Sequence, residues 1–294
     1  MSLTIAGVLF AAPAFAKYAP PPIRAARSDS IAQGVTAAVY IHPSSGAQSS
    51  PDQAIKRAFD EAKRLYKDLD VKSSGEVGKI NQGAGGKSAV KVSRPMLLLI
   101  KVAQQISAWT QGFFDIVQGA SGKSPNLLVD YDKGEVQLPK KKSWLDFAGI
   151  RNGYVVDRMA GVLKSQGYSN FMIQSGSVTR TMGRDGSNYW RMSIPDVHGS
   201  KSGLCRVSLE SSSVATVNIR NLGTPAKTDL RSVTVITRNA TNASALARTA
   251  LLAGRDRARA MFVPLSAEGF GVILEDQFGK IQTIGDVTAA CFEE

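Results

Sequence analysis

A chain of 294 residues, 43% hydrophobic and 20% charged, has the composition of a globular protein of one large or two ordinary domains, with apolar material enough for a sizeable core. Its formal net charge of +12 raises the question of nucleic acid, but the basic residues are scattered and the densest run, Lys140-Lys141-Lys142, is short and follows Pro139 in an expected turn, so no nucleic-acid partner is expected. The only histidines, His42 and His198, and the only cysteines, Cys205 and Cys291, make no zinc spacing and argue against a Ser-His-Asp or Cys-His hydrolase.

The chain opens on an apolar run from Leu3 to Phe15 that ends in Ala14-Phe15-Ala16, a small-x-small cleavage pattern. Residues 1–16 are therefore expected to be an export signal and the mature protein periplasmic. The run is shorter than the roughly 20 residues that span a bilayer, and no later stretch qualifies, so no membrane span is expected in the mature chain. Residues 17–30, with Pro20-Pro21-Pro22, read as a tether. After export the two cysteines would meet an oxidising compartment, where a disulfide and two separately buried small side chains are both open.

From residue 31 onwards the pattern is that of one folded unit. Val35 to Ile41 suits a first strand. Asp52 to Leu69 places Ile55, Ala58, Phe59, Ala62, Leu65, Tyr66 and Leu69 at helical spacing. Ser73 to Ser88 is polar and glycine-rich. Its Gly86-Lys87-Ser88 is no P-loop, because Asn81 stands where the motif needs glycine. Ser93-Arg94-Pro95 starts a helix that Gly112 ends, and Asp115 follows Phe113-Phe114. Leu127 to Asp130 and Glu135 to Leu138 flank Tyr131-Asp132-Lys133-Gly134, a hairpin signal.

Leu145 to Gly183 is the most informative stretch. A glycine-bearing turn through Gly149 leads into a helix from Gly153 to Gln166, with Val155, Val156, Met159, Val162 and Leu163 inward and Gly167 at its end. A strand at Phe171 to Ile173 then reaches a second turn, Ser175-Gly176-Ser177. Glycine turns of this kind admit a phosphate or a flat ring close to the backbone. Strands follow at Tyr189–Ile194, Leu204–Leu209, Val214–Val217 and Ser232–Thr237. Asn242 opens a helix closed by Gly254, Asp256 to Phe262 adds further helical turns, and Gly271–Glu275 with Lys280–Ile284 makes a last hairpin. Runs of strands with interspersed helices and no βαβ rhythm give α+β, with mixed or antiparallel sheets flanked by helices in one domain over 31–294.

The ordered segments Gly75-Glu76-Val77-Gly78-Lys79-Ile80-Asn81, Gly112-Phe113-Phe114-Asp115, Leu145 to Arg158, Trp190-Arg191-Met192-Ser193-Ile194 and Ser232-Val233-Thr234-Val235-Ile236 resemble the FAD:protein FMN transferases, the ApbE-like exported proteins. The resemblance implies FAD as a bound partner and magnesium as the metal. It also implies transfer of FMN to a threonine or serine of a target flavoprotein, periplasmic or membrane-associated, with release of AMP.

Carried over residue by residue, it assigns FAD binding to Gly149, Asn152, Gly153, Tyr154, Asp157, Ser175, Gly176 and Ser177. The family's alanine-lysine pair is here Arg151-Asn152, and its second glycine turn is Ser175-Gly176-Ser177-Val178. Ser244 takes the place of the family's metal-binding aspartate and Arg248 that of its threonine; serine is a poor ligand for a hard divalent cation. The segment Thr216 to Pro225 keeps only Gly223 and Pro225 of the family's motif. Asp115 and Arg248 remain as catalytic candidates, and Asp115, Asp146 or Asp157 as carboxylates that would recruit magnesium to an active transferase. The expectation is a protein that binds FAD and lacks efficient turnover, with Arg248 standing as counter-charge to the pyrophosphate; a non-catalytic scaffold on the same fold is the alternative.

Overall fold

The computed structural model describes residues 25–42, 46–72, 74–119, 127–197, 204–222, 227–287 and 289–291. The expected export signal, the first part of the tether, His198, Gly223 and Pro225 lie outside them.

The chain begins with strands β1 (Ala25–Ala32) and β2 (Val35–Ile41), then helices α1 (Pro51–Asp68) and α2 (Glu76–Gln82), strand β3 (Val90–Lys91) and helix α3 (Arg94–Trp109). Four short strands follow: β4 (Val117–Gln118), β5 (Leu128–Asp130), β6 (Glu135–Gln137) and β7 (Trp144–Leu145). Then come α4 (Ala148–Ser165), β8 (Phe171–Ser175), β9 (Val178–Met182), β10 (Trp190–Ile194), β11 (Cys205–Leu209), β12 (Ser213–Asn218) and β13 (Leu230–Thr237). Helices α5 (Ala240–Ala253) and α6 (Arg255–Ser266) and strands β14 (Gly271–Asp276), β15 (Ile281–Ile284) and β16 (Ala289–Cys291) complete it.

The expected α+β class is what the structure has. Its frame is an eight-stranded sheet in the order β1-β2-β8-β9-β12-β13-β14-β15, with every neighbouring pair antiparallel. Helices α1, α4 and α5 pack together, and α5 lies on β12 and β13. Alternate side chains of the central strands supply two cores, as the two-residue period of a strand dictates. Ala215, Val233, Val235, Val272 and Leu274 join the helical layer, whereas Val214 and Ile273 point the other way to Trp190, Ile194, Val207 and Leu209 of the small sheet β10-β11-β16. This double coverage explains why all six residues of β14 are buried.

Local signals place the helices. Ser50 caps α1 by accepting from the Gln53 amide at 3.4 Å, and Ser93 caps α3 by accepting from the Met96 amide at 3.3 Å, each followed by proline in the first turn. Gly167, at φ +87°, follows the last turn of α4, and Gly254, at φ +82°, separates α5 from α6.

Two expectations need correction, and one stretch with no predicted element gains a helix. Residues 25–30 are not tether but most of β1, a polar edge strand paired with β2 from Ala25↔Ile41 onwards. The polar stretch 73–88 contains α2, whose Val77 and Ile80 are buried. Helix α4 starts at Ala148, not Gly153, so Gly149 lies in its first turn rather than in a loop. Cys205 is disulfide-bonded, and Cys291, the only other cysteine of the sequence, stands directly opposite in the β11–β16 register.

Candidate functional site

The start of α4, the β8–β9 hairpin and the middle of α5 meet at one cleft of about 680 Å³. Helix α4 contributes Ala148, Gly149, Arg151 and Asn152; the hairpin contributes Gly176, Ser177 and Val178; α5 contributes Ser244 and Arg248. The β1–β2 turn (Gly34, Val35 and Thr36), Tyr66 of α1, and Val217 and Asn221 at the end of β12 complete the wall.

Each turn has a local cause. The hairpin has only two residues between paired Ser175 and Val178, and Gly176 takes φ +54°, which an L side chain rarely adopts. Gly149 is needed for space. A Cβ there would lie 3.3 Å from the Phe114 ring, so its absence lets that ring pack on the first turn of α4, while the Arg248 stem lies at ordinary contact distance, 4.0 Å. The Gly149 amide has no acceptor among the described residues, whereas the neighbouring Ala148 amide donates to Asp146 Oδ1 at 2.7 Å. A free amide at a helix N-terminus carries part of the helix's positive end.

Asn152 fixes the relative position of three elements. Its Oδ1 accepts from the Tyr66 hydroxyl and from the Ser175 hydroxyl, each at 3.0 Å, while its Nδ2 donates to the Ser175 carbonyl at 2.9 Å. Burial pushes the Tyr66 phenol up, against the opposing influence of Arg151, so Tyr66 stays a donor at neutral pH. The Arg151 guanidinium lies 5.0 Å from the centre of the Tyr66 ring, a cation–π contact that holds it at the cleft wall. Ser244 donates weakly to the Gly149 carbonyl at 3.4 Å. Arg248 has neither hydrogen bond nor ion pair among the described residues, although buried Ala247 and Thr249 flank it.

Of the residues assigned from the sequence, Gly149, Asn152, Gly176, Ser177, Ser244 and Arg248 therefore share one cleft. Four others do not line it, and each has a different task. Gly153 lets two helices touch: a Cβ there would come within 2.1 Å of the Ala240 carbonyl oxygen and 2.8 Å of Ser244 Cβ. Tyr154 packs, half-buried, against the main core. Asp157 caps α5, accepting from the Ala240 and Thr241 amides at 2.9 and 2.8 Å and from the Thr241 hydroxyl at 2.5 Å, and pairs with Arg180 at 3.2 Å. Ser175 is fully buried and acts through Asn152.

Asp115 lies elsewhere, in a separate cavity with Gln104, Ser107 and Val117, and its carboxylate accepts from the Val117 amide at 2.8 Å. Asp146 is occupied with the first turn of α4. Sequence reasoning missed Gly34, Thr36 and Asn221 as part of the wall. The only sequence signal for the first two was a glycine turn ahead of Val35, hidden when β1 was assigned to the tether.

Among the described residues, the cleft is thus lined by two guanidiniums and no carboxylate, and no group of three or more His, Cys, Asp or Glu side chains is placed to hold a metal ion. Magnesium asks for carboxylate and water oxygens. The lining offers the hydroxyls of Thr36, Tyr66, Ser177 and Ser244, the amides of Asn152 and Asn221, whose oxygens are already hydrogen-bonded, and two cations, so the residues present do not fit the metal.

The family described as the ApbE family matches residues 33–270. No curated protein matches. Among solved structures, the fold is similar to an ApbE protein of Thermotoga maritima (TM-score 0.75, 22% identity, covering 88% of this chain and 96% of that one). It is also similar to the flavinyl transferase ApbE of Pseudomonas stutzeri in its apo form (TM-score 0.72, 20% identity, 88% and 94% covered). The flavin transferase ApbE of Vibrio cholerae has a TM-score of 0.71 at 19% identity, with 88% and 96% covered. With a family match spanning both walls of the cleft and the sheet beneath it, the chain belongs to the ApbE family.

Proposed function

We propose that this protein is an exported member of the family that holds FAD in the cleft and does not carry out magnesium-assisted transfer of FMN. One observation carries the reading: two glycine-bearing turns and two guanidiniums without an ion-pair partner converge on a cleft that, among the described residues, has no carboxylate. FAD offers what such a cleft recognises, a diphosphate for the cations and flat rings for close backbone approach. A volume of about 680 Å³ is of the size usual for small-molecule sites. Transfer of FMN out of a diphosphate develops charge that the family's reaction neutralises with magnesium, and the chemistry of the lining residues opposes that ion.

Export is supported by two features. The apolar run before Ala14-Phe15-Ala16 has the form of a signal segment, and a disulfide at Cys205 suits an oxidising compartment.

Titration of the purified protein against FAD fluorescence, followed by incubation with FAD and magnesium or manganese, tests the proposal. Saturable binding without AMP or FMN is the expected result. Release of AMP would show that FAD is cleaved in the cleft and would overturn the reading, leaving an active member of the family whose acceptor would be sought among periplasmic or membrane-associated flavoproteins. No binding at all would leave a scaffold on the same fold.

A further inference from the structure

We infer that Arg248, with Arg151 and the free amide of Gly149, replaces a metal ion as the counter-charge to a diphosphate, so that the cleft takes the diphosphate without magnesium and competes with magnesium for it. This rests on the reading of the cleft as a nucleotide site and names how that site holds its ligand.

Arg248 lies one helical turn beyond Ser244, on the single polar face of a helix whose other residues are mostly buried. The guanidinium presented there, between buried neighbours, makes neither hydrogen bond nor ion pair among the described residues. Its stem lies over the first turn of α4, with Cδ about 4.0 Å from where a Cβ on Gly149 would stand. Arg151 approaches the same space from α4, oriented by the Tyr66 ring.

Two cations facing one cleft without a carboxylate repel each other unless an anion joins them. A guanidinium offers parallel N–H donors that match two oxygens of one phosphate group, and two guanidiniums with a helix-terminal amide match a diphosphate better than a single phosphate. The same charges disfavour a diphosphate that already carries magnesium, because its net charge is smaller and the bound ion meets the arginines.

The test uses the full-length protein with two probes, FAD followed by fluorescence and inorganic pyrophosphate followed by calorimetry, each in EDTA and in millimolar magnesium at matched ionic strength. FAD affinity is expected to be unchanged by EDTA and weakened by magnesium, to fall about tenfold or more in Arg248→Ala, and to be partly retained in Arg248→Lys. Thermal melting of each variant establishes that it is folded, which the half-exposed position of Arg248 favours. FAD binding that EDTA weakens, or that Arg248→Ala leaves intact, overturns the inference while leaving FAD binding itself in place. If FAD does not bind, the nucleotide reading fails, and pyrophosphate decides alone: chelator-insensitive binding lost in Arg248→Ala sustains the inference, and no pyrophosphate binding overturns it.

Discussion

Asp157 and Thr241 are joined twice, the Thr241 amide donating to the Asp157 carboxylate at 2.8 Å and the Thr241 hydroxyl at 2.5 Å, so a side chain of α4 caps the N-terminus of α5 alongside its own N-cap, Asn239. The cleft is walled by these two helices, and the cap fixes the start of one against the flank of the other. Asp157→Ala is expected to lower stability by about 2 kcal/mol, since it removes a cap and strands Arg180 without its carboxylate. Urea denaturation checks this. A loss of FAD binding in that variant under conditions where it remains fully folded would place Asp157 in the site after all.

Gly153 and Gly161 sit on the same helix with opposite demands. A Cβ at Gly153 meets the Ala240 carbonyl oxygen at 2.1 Å, so Gly153→Ala is expected to force α4 and α5 apart and cost about 3 kcal/mol or more, through overpacking that backbone atoms cannot relieve. Gly161 has nothing within 4 Å of such a Cβ, and Gly161→Ala should stabilise the protein by about 0.5–1 kcal/mol through helix propensity and a less flexible unfolded chain. Melting temperatures of the two variants should move in opposite directions.

Asn152 is a positioning residue. Asn152→Ala leaves the Tyr66 and Ser175 hydroxyls without their acceptor, removes a bond to the Ser175 carbonyl, and is expected to cost about 2 kcal/mol of stability. Tyr66→Phe removes one of the three bonds and should cost about 1 kcal/mol. If the hairpin position matters to the ligand, FAD affinity should fall more in Asn152→Ala than in Tyr66→Phe, measured on folded protein.

Acid should destabilise the fold partly through Asp276. Burial raises its pKa, but bonds from the Lys280 and Phe278 amides and the Arg255 guanidinium outweigh burial and hold the carboxyl below its usual range. A depressed folded-state pKa means the contribution is complete above the unfolded value, near 4, and is lost as pH falls through the lower folded value. Melting temperature is therefore expected to drop below about pH 4, and less steeply in Asp276→Asn. An unchanged slope in that variant would assign the acid sensitivity elsewhere.

Much of the fold was legible because its elements bury one face. The three- and four-residue spacing through Ile55, Ala58, Phe59, Ala62 and Leu65 marks α1, all five residues being buried, and the capping signal at Ser93-Arg94-Pro95 marks α3. What escaped lacked that contrast. Strand β1 is an exposed edge of Arg, Ser and Asp, and its partner is visible only in three dimensions. Strand β9 alternates Thr and Arg, and its polar side chains are used internally: the Thr181 hydroxyl donates to the Ser212 carbonyl.

The site divides in the same way. Gly176 and Arg248 could be placed because local turn chemistry and the family's order locate them. Gly153 and Asp157 could not be told from ligand contacts, because helix–helix contact and capping ask for the same residue types. The wall residues Gly34, Tyr66 and Asn221 come from distant segments whose meeting only the sheet order sets.

The edge strand has a practical corollary. Gly34 stands at the cleft, and β1 leads away from it over eight residues, about 26 Å at the rise of a strand. Whatever precedes Ala25 therefore joins the domain at the end of the sheet remote from the cleft mouth. A purification tag or surface tether that meets the folded chain at Ala25 does so at the end of β1 opposite Gly34, and immobilised protein is expected to take up ligand as freely as protein in solution.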